Sequence, residues 1–510
     1  MKQKKYFFCL FSIISLTIYT VIIIKFVSHD GLSTFASDSA NYMLMGLYMS
    51  PWKEATAPIQ ALWQFQDFPP FFPFILAITG TVHNMYAAHI LTTIFMTISL
   101  PLIYIFSRRC FASAWQAFWI VAIFALSPST WLNNMGILSE NLYIFISFLT
   151  ICLFPKQRQS NIYFSVLMGL LFTLLILTRT IGISMLFAYS IVGFIMWQNK
   201  SLSIQKFITP IILTIFSIIF IKTFNPSSIP SQYLQQLIDL NISGQPDILL
   251  DTWFTAWQYY WADDLIIPHL LVLLIGILAG SGLIIRIKLL KLDAFYVLFY
   301  ICILLVWPHP GQDIRFIYPI HALFIIYAFF FIHILFKEIF SKPDNKPIIV
   351  LLLISLSIIV PTLSYLWNRY QIGKENGYNH ILEFYRFPDL EHARNLAATE
   401  TTMFNDMKVI NQMTNPEDKI LHFTPVYIAL LANRNSRSIS YNYTDENAYR
   451  VNNISDAEYV YISKLHPRKT GKDFNGLDLK VYFSGKTKTL WTHYSSENGE
   501  IISIFLKTIK

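Results

Sequence analysis

Eleven apolar runs, set off by basic clusters at alternate turns, constrain this chain more than any other feature. A membrane-crossing helix needs about 20 mostly apolar residues. Runs of that order are read near residues 6 to 27, 85 to 106, 113 to 127, 137 to 154, 161 to 178, 180 to 197, 207 to 223, 265 to 285, 293 to 307, 315 to 336 and 347 to 366. Short cytoplasmic loops collect Lys and Arg, so the clusters decide which turns share a side. They are Lys2/Lys4/Lys5, Arg108-Arg109, Lys156/Arg158, Lys200/Lys206, Arg286/Lys288/Lys291 and Lys337/Lys342/Lys346. Placing all of them inside puts 15 of the 20 basic residues of positions 1–366 on the cytoplasmic face. Eleven being odd, the C-terminal part then falls on the outer face.

Composition sets the other bounds. With 54% hydrophobic and only 13% charged residues in 510, a purely soluble enzyme is excluded. The net charge of +8 does not mark a nucleic-acid partner, which needs basic residues clustered on one solvated face. Residues 367–510 hold 18 basic and 16 acidic side chains, half of all 68 charges. The expected organisation is a polytopic α-helical membrane domain, 1–366, with outer loops at 28–84 and 224–264. A small soluble α/β domain, 367–510, follows it. Lys2, Lys4 and Lys5 before the run Tyr6 to Ile24 resemble a signal peptide, but the run is too long and no A-x-A site follows, so it reads as an uncleaved first span. The four cysteines (Cys9, Cys110, Cys152, Cys302) lie far apart and suggest no disulfide framework or CxxC metal site.

Parity also decides the short segment Pro69 to Val82. Counted as a span it would move Arg108-Arg109 outside, so it is expected as an interfacial helix on the outer surface, with Phe68, Phe71, Phe72 and Phe74. In the C-terminal domain the pattern predicts a helix near 390 to 413, a strand at Lys419 to Phe423, and a helix start at Thr424-Pro425 leading to Leu431. Strands are predicted at Ser438 to Ser440, Tyr459 to Ser463, Val481 to Phe483 and Ile501 to Leu506.

Candidate chemistry gathers on the outer side, which takes eleven of the fourteen acidic residues of positions 1–366. Asp38, in Phe35-Ala36-Ser37-Asp38-Ser39-Ala40-Asn41-Tyr42, follows the first span and is placed to accept a proton from a hydroxyl; its other use is as N-cap of a helix starting near Ser39. Glu140, at the outer end of the fourth span, faces either a wet cavity or serves as a favourable helix start. Arg179 and Arg315 break the inside rule. Arginine stays charged and grips phosphate oxygens in pairs, which suits a lipid phosphate; the alternative is a salt bridge to Asp313 or Glu140, or snorkelling. Asp67, Tyr42, His309 and Asp313 are further candidates for cavity or acceptor contacts. The tract Trp253, Trp257, Tyr259, Tyr260, Trp261 reads as an interface belt or as the floor of a sugar site.

Taken in order, these features resemble the GT-C glycosyltransferases. The residues are the early Asp38, the helix Asp67-Phe68-Pro69-Pro70-Phe71-Phe72-Pro73, Glu140, and Arg315-Phe316-Ile317-Tyr318-Pro319. The closest branch is that of protein O-mannosyltransferases and lipid A aminoarabinose transferases. That resemblance implies a polyprenyl-phosphate sugar donor and an acceptor that is a lipid, glycan or protein. It also implies Asp38 as catalytic base, Glu140 as a second cavity carboxylate, and Arg179 and Arg315 on the donor phosphate. The chain departs from the pattern in Ser39 after Asp38, where many protein mannosyltransferases have Glu, and in Phe68, where a His commonly precedes Pro-Pro. The carboxylates are able to hold a divalent metal ion, though no ligand set is visible. The competing readings are a lipid-linked saccharide transporter or flippase, and a polymerase or ligase using a pyrophosphate-linked donor. A bacterial inner membrane is expected, with the N-terminus cytoplasmic and the C-terminal domain periplasmic.

Overall fold

The computed structural model describes residues 2–34, 38–63, 68–111, 113–158, 161–224, 269–305, 313–339, 346–387, 389–439, 441–444, 448–451, 456–463, 481–483, 486–494 and 501–509. Its helices, in chain order, are α1 (Lys2–Val27), α2 (Ser39–Met49), α3 (Ala57–Leu62), α4 (Phe71–Ile78), α5 (Met85–Cys110), α6 (Ala114–Leu126), α7 (Pro128–Met135) and α8 (Glu140–Leu153). There follow α9 (Ile162–Thr178), α10 (Ile183–Gln198), α11 (Ile204–Phe224), α12 (His269–Lys288), α13 (Leu292–Leu305), α14 (Asp313–Ile339), α15 (Lys346–Asn376) and α16 (Leu390–Met413). A helix stands at each of the eleven expected spans. Leu10–Val27, Met85–Cys110, Thr180–Gln198, Ile204–Ile221 and Arg315–Glu338 each have the length and apolarity to cross a bilayer alone. The protein is an integral membrane protein.

The chain divides into two compact units. The first comprises Met1–Ser28, Asp67–Phe72 and Ala87–Asn368. Its apolar helices expose Ile13, Phe216, Ile219 and Ile277 among many others, the surface expected of helices solvated by lipid. Between them, contacts are close: a Cβ at Gly282 of α12 would lie 2.0 Å from the carbonyl oxygen of Tyr327 in α14, so only glycine lets these two helices meet. Between the expected spans ending at 127 and beginning at 137 stands helix α7, set at 48° to α6. Pro128 opens it at a position where its missing N–H costs nothing. Its Trp131 donates to the carbonyl of Ala125 at 3.1 Å.

The second unit comprises His29–Gln66, Pro73–Tyr86 and Arg369–Lys510. It holds a five-stranded sheet built from β1 (Lys419–His422), β2 (Asn435–Ser438), β5 (Tyr459–Ser463), β7 (Lys486–Tyr494) and β8 (Ile501–Ile509), in the order β2-β1-β5-β8-β7. A three-stranded sheet adds β3 (Tyr441–Thr444), β4 (Ala448–Val451) and β6 (Val481–Phe483). Strands β2, β1 and β5 run parallel, while β8 is antiparallel to both β5 and β7. Leu421, Phe423, Ile439, Val460, Ile462 and Leu506 form one buried cluster on this sheet. Helix α16 is capped by Asp389, whose carboxylate accepts from the His392 N–H. It is tied to the sheet through buried Asp406, which accepts from Tyr461 and Ser503 at 2.8 and 2.5 Å. Burial raises the Asp406 pKa.

Several expected boundaries shift. The strand expected at 438 to 440 lies at Asn435–Ser438, because the parallel register pairs Lys419 to His422 with those four residues. The interfacial helix expected over 69 to 82 is shorter, Phe71–Ile78, followed by a 3₁₀ turn at Thr81–His83. Helix α15 continues to Asn376, past the expected end at 366. Strands β3, β4 and β7 were not foreseen. The last, Lys-Thr-Lys-Thr-Leu-Trp-Thr-His-Tyr, is a sheet edge, and edge strands carry the lysines and polar residues that hide a strand pattern.

Candidate functional site

Three of the residues singled out in the sequence meet inside the first unit. Glu140 is the first residue of α8, where the helix N-terminus favours a negative charge. Arg179 lies between α9 and a 3₁₀ turn, Thr180–Gly182, with extended backbone at φ −152° and ψ 132°. The turn closes because Gly182 has no side chain: a Cβ there would sit 2.5 Å from the Leu175 carbonyl carbon. Arg315 stands near the start of α14, and Pro319, four residues on, has no N–H to offer the Arg315 carbonyl.

One carboxylate oxygen serves both arginines. Arg179 Nη1 and Arg315 Nε each lie 2.5 Å from Glu140 Oε1. Glu140 is fully buried, the Arg179 side chain is 8% exposed and that of Arg315 is 20% exposed. Both guanidinium groups also sit over the ring of Phe316, at 5.3 and 5.4 Å from its centroid. Arg179 Nη1 reaches the hydroxyl of Ser139 at 3.4 Å. Two guanidinium groups and one carboxylate thus lie together in a place where burying charge is costly. The arrangement is a buried cluster of two arginines around one carboxylate, and one of the arginines is partly exposed.

Polar contacts among the surrounding helices hold this geometry. The Tyr300 hydroxyl donates to the Phe316 carbonyl at 2.7 Å, and Tyr296 donates to Tyr143 at 3.2 Å. Tyr318 donates to Asn141 Oδ1 at 3.1 Å, and Asn141 in turn donates to Asn134 at 2.9 Å. Ser139 and Phe316 were not named as site residues from sequence. Their signal was adjacency alone, each being next to a charged candidate.

Of the two uses weighed for the arginines, the structure contains the salt bridge to Glu140. Asp38 belongs to the second unit. It occupies the N-cap position of α2, half-buried, yet its side chain makes no capping hydrogen bond, so that use of the residue is not the one adopted. Tyr42, a turn later, is buried, and its N–H donates to the Asp38 carbonyl at 3.0 Å. Asp67, His309 and the tract from Trp253 to Trp261 lie outside the described residues, as does the side chain of Asp313, the first residue of α14. Among the described residues, no group of three His, Cys, Asp or Glu side chains could hold a metal ion. Glu140 is committed to two cations, which would repel a third, so it does not fit a divalent metal.

No family model and no curated sequence matches the chain. Solved structures match its fold. ArnT from Cupriavidus metallidurans bound to undecaprenyl phosphate matches with a TM-score of 0.54 at 11% identity, over 97% of each chain. The apo state of the same protein gives 0.51 at 10%, again over 97% of each chain. The Archaeoglobus fulgidus oligosaccharyltransferase tethered with an acceptor peptide containing the NVT sequon gives 0.51 at 10% identity, covering 89% of this chain and 69% of that one. The architecture is therefore the GT-C membrane fold, as the resemblance read in the sequence implied. At these identities the likeness is one of fold.

Proposed function

We propose that this protein is an integral membrane glycosyltransferase that moves a sugar from a polyprenyl-phosphate donor to an acceptor hydroxyl, on the outer face of a bacterial inner membrane. The observation that carries the reading is the sharing of Glu140 Oε1 between Arg179 and Arg315, a buried cluster in the membrane unit. A lipid-anchored donor presents its phosphate at head-group depth. The N-terminus is cytoplasmic in this reading and the C-terminal part periplasmic.

The reaction is a single displacement with inversion. The acceptor oxygen attacks the anomeric carbon as the bond from that carbon to the phosphate oxygen breaks, and Asp38 takes the hydroxyl proton. The departing polyprenyl phosphate keeps the electron pair and gains negative charge. Arg179 and Arg315 meet that charge, which is larger in the transition state than in the bound donor, and so they lower the barrier. Glu140 holds the two guanidiniums side by side until the phosphate arrives. The fold shared with ArnT, solved with undecaprenyl phosphate, supports this donor class.

The test is reconstitution in lipid with polyprenyl-phosphate sugars and a crude envelope extract, following free polyprenyl phosphate by mass spectrometry. Asp38→Asn keeps the shape and removes the base, and is expected to lower turnover by about 10²- to 10⁴-fold. Equal turnover in the variant removes Asp38 from the mechanism, and retained anomeric configuration overturns the single displacement. Release of polyprenyl pyrophosphate instead of the monophosphate favours the polymerase or ligase reading.

A further inference from the structure

The described residues on either side of Asp38 are anchored within the second unit. Upstream, the buried Thr34 hydroxyl donates to Glu400 Oε1 of α16 at 2.7 Å, and the Leu382 N–H donates to the Ser33 carbonyl at 2.8 Å. The ring of His29 lies 5.6 Å from that of His380. Downstream, α2 buries Ser39, Ala40, Tyr42, Met43, Leu44 and Met45 and packs against the segment Pro425–Tyr427 and the π-helix Ile428–Ala432. Only three residues separate Thr34 from Asp38, so the Asp38 Cα stays within roughly 14 Å of that anchor.

Glu400 is the unusual member. It is 1% exposed on a helix that also buries Ala393, Ala397, Met403, Met407 and Ile410, and whose other buried carboxylate, Asp406, faces the sheet. A buried carboxylate costs several kcal/mol in general unless it is hydrogen-bonded, and an apolar residue at that position would serve packing better. Its described hydrogen bond goes to the loop, 366 residues away in sequence.

We infer that Glu400 is a positioning residue: through Thr34 it fixes the Asp38 loop, so that the C-terminal α/β domain takes part in the reaction by setting where the base stands. The inference rests on the reading of Asp38 as base. A displacement of about 1 Å at a reacting group can cost about 100-fold in rate, which gives such a hydrogen bond a kinetic consequence that a packing contact lacks.

The test uses the full-length protein in the turnover assay, with Glu400→Ala, Glu400→Gln, Thr34→Val and the double variant Thr34→Val/Glu400→Ala, each in the wild-type and the Asp38→Asn background. Glu400→Ala and Thr34→Val should each lower kcat by about 10- to 100-fold with the donor KM within about twofold. The double variant should cost clearly less than the sum of the two single changes, because both remove the Thr34–Glu400 hydrogen bond. Glu400→Gln, which keeps an acceptor for the Thr34 hydroxyl, should restore most of the rate. In the Asp38→Asn background neither change should lower the residual rate further. A lowered melting temperature with unchanged kcat, full additivity in the double variant, or an equal loss in the Asp38→Asn background would each overturn the inference while leaving the base assignment intact. Full turnover of Asp38→Asn itself overturns both. Thr34→Val is nearly isosteric and keeps the test open if Glu400→Ala does not fold.

Discussion

Among the described residues, two buried ion clusters lie in the membrane unit, and they are built on opposite plans. In one, Arg286 and Asp293 are matched one to one: Nε meets Oδ2 and Nη2 meets Oδ1, both at 2.7 Å. Tyr327 donates a third hydrogen bond to Oδ2 at 3.0 Å, Arg286 Nη1 reaches Cys110 Sγ at 3.3 Å, and the guanidinium lies 5.2 to 5.8 Å from the rings of Phe106, Tyr327 and Phe330. Both side chains are about 5% exposed. In the other, a single oxygen of Glu140 faces two arginines, and one of them is 20% exposed. The first cluster is balanced and sealed. The second sets two arginines on one carboxylate and leaves one of them partly exposed. Helix α14 joins them, with Arg315 and Tyr327 about 18 Å apart along its axis at 1.5 Å per residue. A bidentate, fully desolvated pair is suited to fastening helices, and a partly exposed pair of arginines to receiving an anion.

The comparison can be broken most directly at Asp293. Asp293→Asn leaves Arg286 charged in the interior, and thermal unfolding in detergent should show a loss of about 3 to 5 kcal/mol. Replacing both Arg286 and Asp293 by leucine should recover most of it. A mild effect of the single change would mean that the cluster is as open as the one at Glu140. Arg315→Ala should behave in the contrary way. Arg179 still pairs Glu140, so the loss of stability should stay well below that of Asp293→Asn, while kcat/KM falls by about 10²- to 10³-fold, the usual cost of losing one donor to a developing anion. Equal losses in stability and activity would erase the distinction. The smallest effect sharpens the picture of the sealed cluster: Tyr327→Phe removes one neutral-to-charged hydrogen bond and should cost about 1.5 to 3 kcal/mol of stability, with kcat unchanged in the folded fraction.

Much of this was legible in the sequence, for identifiable reasons. Apolar runs and basic clusters report on transfer into lipid, a property of each segment by itself, and a helix stands at every expected span. Arg179 and Arg315 stood out because they violate the same rule. That both would settle on one oxygen of Glu140 was not legible, since it depends on helices 39 and 175 residues apart in sequence meeting at one point. The pairing of Arg286 was not legible either: it obeys the inside rule and so drew no notice, while its side chain is buried against Asp293. The C-terminal domain divided along similar lines. Buried strands such as Tyr459–Ser463 announced themselves by composition, whereas Lys486–Tyr494, polar and at an edge, did not.

The glycine at 282 bears on motion. The Tyr327 carbonyl seats where a side chain would otherwise be, and the residues one turn away on the same helix are Leu278 and Arg286. Sliding α14 along its neighbour by a turn would press that carbonyl onto one of these larger residues. The pair can rock about the seat but cannot act as a piston. Any rearrangement at Arg315 that accommodates a bound anion is consequently confined to rotation of the helix end and to the arginine's own rotamers.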